Sequence, residues 1–455
     1  MNYKYRSMNN EINRRHFLKN LGLGAAATLT ACSPSGRQDS NAAGGSGKTL
    51  GNMTMRMGLT DDSVSILGYG CMRWKMKNAP DGNGQIVDQE DVNHLVDYAL
   101  EHGVNYFDTS PVYLQGQSEK ALGKALHRHP RNSYLVATKL SNFSNSTFEN
   151  SVLMYQKSRE YLQVETIDYY LLHSISNADA YRKRFVENGM IDFLLKEKEA
   201  GHIRHLGFSF HGDKECFDYL MEQPYHWDFV QIQMNYVDWN HAGNDCNASY
   251  MYQQLAERNI PVVIMEPLLG GRLSNLPQHL VNKLLQREPE YTVASWAFRF
   301  AGTFPKVLTV LSGMTYMEHL QDNVFTFSPL EPLNDDELSF LEEVAGIYKQ
   351  ASIIPCNDCK YCMPCKYGID IPSILMHYNK HINEGTLPAN SQDPQYRKYR
   401  KAYLASYDKI IERERQADHC VGCSECVPHC PQHIRIPREI QRIDKFIETL
   451  KQDVL

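Results

Sequence analysis

Eight cysteines near the C-terminal end stand at intervals that suit iron–sulfur chemistry. Cys356, Cys359, Cys362 and Cys365 follow one another with two residues between each; Cys420, Cys423, Cys426 and Cys430 do so with two, two and three, and Pro431 comes next. Eight thiolates suffice for two [4Fe-4S] clusters, each carrying one electron at a time. The rival reading, a pair of structural zinc sites, fits less well, because zinc motifs set two C-x2-C knuckles across a longer gap. The runs share a register: Pro372 stands seven residues after Cys365, and Pro437 seven after Cys430. Each proline suits a first helical turn, where its missing N–H costs no bond, so helices are expected over residues 373–384 and 438–450.

A second set of reactive residue types precedes them: Asp108, Tyr113, Lys139 and His173, then Ser209, Gln231, Ser312, Gly313 and Asn323. What must position these is an alternation of short β-branched runs with longer helical patterns. Eight strands are expected near residues 65–70, 104–109, 134–139, 167–173, 203–209, 229–233, 262–266 and 307–312. Amphipathic helices should join them, such as the one Asp88 would cap ahead of Val92, Leu95, Val96 and Ala99. That order, within roughly 270 residues, predicts a (β/α)8 barrel of the α/β class, and a short hairpin at residues 53–63 should plug its base. The reactive face of such a barrel lies at the C-terminal strand ends. Asp108, Lys139, His173, Ser209 and Ser312 each end an expected strand, Gln231 sits late in one, and Tyr113 lies on the loop after Asp108. Singly, Asp108 and Lys139 read as a barrel-mouth ion pair and His173 as a core histidine. Their shared address favours a catalytic group.

The segments Gly103-Val104-Asn105-Tyr106-Phe107-Asp108-Thr109-Ser110 with Tyr113, Ala137-Thr138-Lys139, Leu171-Leu172-His173 and Ser312-Gly313-Met314 followed by Asn323 resemble the aldo/keto reductase family. The resemblance implies NAD(P)H-dependent interconversion of a carbonyl and an alcohol. Carbonyl reduction needs a hydride on carbon and a proton on oxygen, and a tyrosine of pKa near 10 is a poor acid unless a cation favours its phenolate. Lys139 would be that cation, and Asp108 would hold it charged and in place. Tyr113 would be the general acid, and His173 would orient the substrate oxygen or share the proton. By the same resemblance Ser209 and Gln231 should meet the nicotinamide carboxamide, and Ser312, Gly313 and Asn323 should lie along the nucleotide. Phe210 stands where family members place asparagine, and Met265-Glu266-Pro267 stands where an aromatic stacks on the nicotinamide. Met314-Thr315-Tyr316 replaces the cation that often takes the extra phosphate of NADP, so NADP(H) over NAD(H) is a family-level expectation.

The second cysteine run resembles the bacterial ferredoxin pattern, which implies crosswise ligation. Cys356, Cys359 and Cys362 would join Cys430 on one cluster, and Cys420, Cys423 and Cys426 would join Cys365 on the other. The first run departs from the pattern in the spacing before Cys365 and in Lys366 after it. A reductase barrel fused to a two-cluster module resembles one branch of the family. A small carbonyl or alcohol substrate and an external electron donor or acceptor are the partners this implies. A non-enzymatic redox relay or sensor, and clusters that only brace a module with little core, are the rivals.

The net charge is −6 and the cations are dispersed, so nothing points to nucleic acid. Arg14 and Arg15 precede an uncharged stretch at residues 21–31 that ends in Leu29-Thr30-Ala31-Cys32. This resembles a twin-arginine export signal with a lipobox, implying a periplasmic lipoprotein whose only membrane attachment is a lipid on Cys32. The expected organisation is a signal at 1–32, a flexible linker at 33–52, the barrel at 53–332, and a connecting helix with a small, mainly helical ferredoxin-type domain at 333–455. Cys71, Cys216 and Cys246 leave no disulfide framework. Tyr69, Trp74, Phe143 and Trp239 are candidates for an aromatic mouth, and His205, His211 and His241 are expected on the surface or in the core.

Overall fold

A computed structural model describes residues 50–452 apart from 61, 244 and 351–352; Arg14, Arg15, Cys32 and most of the linker lie outside the described residues. The first elements, β1 (Met55–Met57) and β2 (Ser63–Ser65), pair antiparallel as the expected hairpin. Eight parallel strands then close into a barrel: β3 (Leu67–Gly70), β6 (Tyr106–Asp108), β7 (Leu135–Leu140), β8 (Ile167–Ile175), β9 (Ile203–Phe210), β10 (Phe229–Gln233), β11 (Val262–Met265) and β12 (Val307–Ser312), which returns to β3. A second hairpin, β4 (Met76–Asn78) with β5 (Gln85–Val87), is inserted after the first barrel strand.

Strands covered on both faces must be apolar almost throughout, and β7 and β12 are buried along their whole length. Inside the barrel, Tyr106, Leu135, Tyr169, Leu171, Phe229, Val263 and Leu308 form one cluster with Val64 of β2. The hairpin therefore does fill the base. One position there admits only glycine: a Cβ on Gly207 would lie 2.3 Å from the Phe229 carbonyl oxygen. Asp88 stands at the N-cap of the helix Gln89–Glu101 as expected, and its carboxylate also takes the Lys77 ammonium at 2.9 Å.

The connecting helix runs over Asp335–Gln350. It opens with a capping box in which Asn334 and Glu337 each accept the other's backbone N–H, at 3.0 and 2.8 Å. Leu341, Val344, Ala345 and Tyr348 bury its inner face in the barrel core. Beyond it, helices Ile371–Asn383, Tyr396–Ile410 and Ile436–Gln452 surround a separate core of Ile374, Leu375, Tyr403, Tyr407, Ile440, Ile443 and Ile447. Pro372 and Pro437 sit in the first turns of their helices. Among the described residues no helix is long and apolar enough to cross a membrane.

Candidate active site

The strand register sets the polar side chains side by side at the mouth. Asp108 pairs with Gly70 and Ala137 at the end of β6, Lys139 sits beside Leu171 on the neighbouring strand pair, and Gln231 of β10 lies opposite Ser209 of β9. Lys139 is completely buried; its ammonium donates to Asp108 Oδ1 at 2.5 Å and to the Thr109 carbonyl at 2.8 Å. Burial raises the Asp108 pKa even though Lys139 opposes the shift, and Asp108 Oδ2 has no hydrogen-bond partner. The Tyr113 ring lies 5.1 Å from the Lys139 ammonium and 6.0 Å, edge-on, from the His173 ring. Burial first, and Tyr361 and Asp108 after it, push the Tyr113 phenol well above its ordinary range. It is therefore protonated at neutral pH, the form an acid needs.

His173 is held from several sides. Its Nδ1 lies 2.5 Å from Ser141 Oγ and 3.3 Å from Ser110 Oγ, and Arg184 donates to its carbonyl at 2.8 Å. Burial, with the charges of Lys139 and Arg184, holds the imidazole well below its ordinary pKa, so it is neutral. Arg184 comes from a single π-helical turn, Arg182–Val186, and its guanidinium lies 4.6 Å from the Phe143 ring and 4.5 Å from that of Phe185.

Asp108, Tyr113, Lys139, His173, Ser209, Gln231, Ser312, Gly313 and Asn323 all line one cavity of about 460 Å³. Gln231 Oε1 is buried there without a partner. Asn323 donates to Ser312 Oγ at 2.9 Å, while Ser209 Oγ already accepts the Ser174 N–H at 2.8 Å. Further residues of this cavity carry no motif, among them Glu266, a buried carboxyl whose pKa is raised by burial, His211 and Tyr361; Cys359 of the first cysteine run lines it as well. His211, expected as surface or core, is thus a lining residue. Tyr69 and Trp239 are packing residues rather than mouth residues: Tyr69 stacks on Phe107 in the core, and Trp239 packs on Phe304. Trp74 and Phe143 do face an open cleft beside the mouth.

Cys359 and Tyr361 belong to the first cysteine run, which lies directly over the barrel. Electrostatic neighbours sort the eight thiols into two groups. Burial pushes Cys356 up to about 11 and Cys359 to about 12; Cys430 acts on both, and Cys362 lies among Cys356, Cys359 and Cys430. Cys426, pushed up to about 11 by burial, neighbours Cys423, Cys365 and Cys420. Cys430 therefore crosses to the first run and Cys365 to the second. The first group lines a small pocket walled by Ile371, Leu375, Ile434 and Ile436. Among the described residues, no three His, Cys, Asp or Glu side chains are placed to hold a single metal ion. Four thiols around an apolar pocket fit a cluster, whose irons and sulfides span a larger volume.

A model of the aldo/keto reductase family matches residues 66–345, more than half of the chain. L-galactose dehydrogenase of Arabidopsis thaliana is 27% identical over 313 residues, covering 64% of this chain and 92% of that protein. An uncharacterized oxidoreductase of Bacillus subtilis, YqkF, is 22% identical over 302 residues, covering 59% and 89%. The holo form of an aldo-keto reductase from Bacillus halodurans superposes with a TM-score of 0.52 at 24% identity, covering 66% of this chain and 99% of that one. A Klebsiella pneumoniae aldo/keto reductase solved with NADP and acetate gives a TM-score of 0.51 at 20% identity, covering 65% and 95%. These two likenesses bear on the fold alone.

Proposed function

We propose that this chain, which belongs to the aldo/keto reductase family, is an oxidoreductase that interconverts a carbonyl and an alcohol and exchanges electrons with two [4Fe-4S] clusters. The observation that carries the reading is that Cys359 lines both the four-thiol pocket and the cavity holding Asp108, Tyr113, Lys139 and His173. A bound nicotinamide would supply hydride and the clusters single electrons, so two clusters can accept one nicotinamide's pair. Tyr113 gives the proton to the substrate oxygen, the Lys139–Asp108 pair stabilises the phenolate left behind, and neutral His173 orients that oxygen. Gln231 Oε1, buried without a partner, would accept from the carboxamide, and Ser312 and Asn323 would line the nucleotide.

Cys356, Cys359, Cys362 and Cys430 would hold the inner cluster, and Cys420, Cys423, Cys426 and Cys365 the outer one. Cys423 is exposed, beside Val421 at 61% exposure, so an external redox partner would meet the outer cluster. An exported protein anchored through Cys32 would be cut off from the cytoplasmic nucleotide pool, which suits a retained nicotinamide recharged through the clusters. The helix carrying Asn323, Met317–Thr326, also turns Glu318 and Asp322 toward the cavity and contributes no lysine or arginine. Carboxylates accept from ribose hydroxyls and repel a ribose phosphate, so NAD(H) is favoured over NADP(H).

The test follows visible cluster absorption in anaerobically purified protein during nucleotide addition. Bleaching is expected, at lower NADH than NADPH concentration. Colour that persists once nucleotide binding has been verified would remove the coupling and leave an ordinary carbonyl reductase.

A further inference from the structure

The two cysteine runs fold alike around their second cysteine. Asp358 and Lys360 flank Cys359 at φ of 53° and 65°, and Gly422 and Ser424 flank Cys423 at 75° and 63°. The next residue sets the runs apart. Glu425 of the second run is exposed and pairs with Lys366, whereas Tyr361 of the first enters the barrel mouth. The Tyr361 hydroxyl lies 3.4 Å from His173 Nε2, and Tyr361 lines the same cavity as Tyr113. Its loop is clamped there: Arg73 donates to the Asn357 carbonyl at 2.8 Å and meets Asp358 at 3.7 Å. Gly270, at φ 67°, lets Asn357 approach so closely that a Cβ would stand 2.3 Å from the Asn357 Cβ.

Tyr113 and His173 are the two groups that must meet the substrate oxygen, and that place is taken by the Tyr361 hydroxyl. We propose that Tyr361 is a specificity-determining residue whose phenol holds the substrate-oxygen position, so that a substrate reaches Tyr113 and His173 only by displacing it. The inference rests on the roles given above to those two residues. The displaced ring has somewhere to go, because Tyr361 also borders a cleft of about 1360 Å³ walled by Trp74, Phe143, Arg184 and Lys360. The competitor must replace the contact to His173, since leaving a polar group unpaired is costly in a buried site. It must also refill the volume the ring vacates. Both demands describe a cyclic or aromatic alcohol or ketone rather than a short linear aldehyde.

The test reads affinity instead of turnover: calorimetric titration of the full, iron- and sulfide-loaded chain with benzoate, an unreactive ring that carries oxygens. Tyr361→Phe removes the contact benzoate must break and should bind it about tenfold more tightly than the natural chain. Tyr361→Ala, which also frees the ring volume, should gain at least as much. Equal affinity in all three proteins, weaker binding in Tyr361→Phe, or no binding to any of them would overturn the proposal. If Tyr361→Ala loses its iron, the phenylalanine variant decides alone. Failure of the underlying assignment looks different, because then Tyr113→Phe would leave benzoate affinity unchanged while the Tyr361 variants still shift it.

Discussion

Lys139 carries an ammonium with no exposed surface, compensated by one carboxylate oxygen and one carbonyl. Such an arrangement stabilises little by itself; it is useful where a neighbouring group gains negative charge, and the Tyr113 ring is that neighbour. Replacing Tyr113 by Phe should lower kcat for carbonyl reduction by about 10²–10⁴-fold, while dithionite still bleaches the clusters; bleaching lost together with turnover would mean that the substitution damages the fold. A second buried acid lies behind the site. Glu119 accepts from Thr138 at 2.6 Å, and burial raises its pKa from 4.5 to about 7. The folded pKa exceeds the unfolded one, so this carboxyl's contribution is fully present below about pH 4.5 and is lost as pH rises toward 7, a cost of about 3 kcal/mol above that. Glu119→Gln should therefore raise the melting temperature at pH 8 and change it little at pH 4.5. Equal gains at both pH values would refute the assignment.

At the scale of elements, the site is made by a contact between strand ends and a loop from another core. Asp108, Lys139 and His173 are fixed by barrel closure, whereas Tyr361 and Cys359 are fixed by how residues 356–362 seat on Arg73 and Gly270. A methyl group at position 270 would collide with Asn357 and strain a left-handed backbone. Gly270→Ala should then lift the loop, raising amide exchange over residues 356–362 while the exchange of β7 and β8 stays unchanged. The same variant should slow cluster bleaching by nucleotide, because inner-cluster ligand and cavity part together. Unaltered exchange in the loop would mean that docking does not depend on this approach.

The whole molecule has two hydrophobic cores, and the smaller takes in Cys356 with Cys362, Cys365, Cys420, Cys426 and Cys430 packed against it. If the smaller core holds the proposed clusters, metal binding and its folding are coupled, so chelating iron should lower or abolish one calorimetric transition and leave the barrel's in place; a single transition that moves as a unit would show the cores to be inseparable. Much of this architecture was legible in the chain. Short apolar, β-branched runs and a period of about 3.6 marked strands and helices because burial is a local demand on residue type; Asp108, Lys139 and His173 could be found because each ends an expected strand, and prolines 372 and 437 because a missing N–H is tolerated only in a first turn. Which thiols would share a group came from the resemblance to the ferredoxin pattern, whose fourth cysteines cross between runs. What sequence alone left open was whatever depends on two distant segments meeting. Tyr361, Glu266, Arg184 and His211 belong to no motif, and Tyr69 and Trp239 look like mouth residues until packing turns them inward. Tertiary structure decided that the cysteine module caps the barrel's reactive end and places a phenol beside His173, because docking depends on the shapes of both surfaces at once and leaves no periodic trace in either.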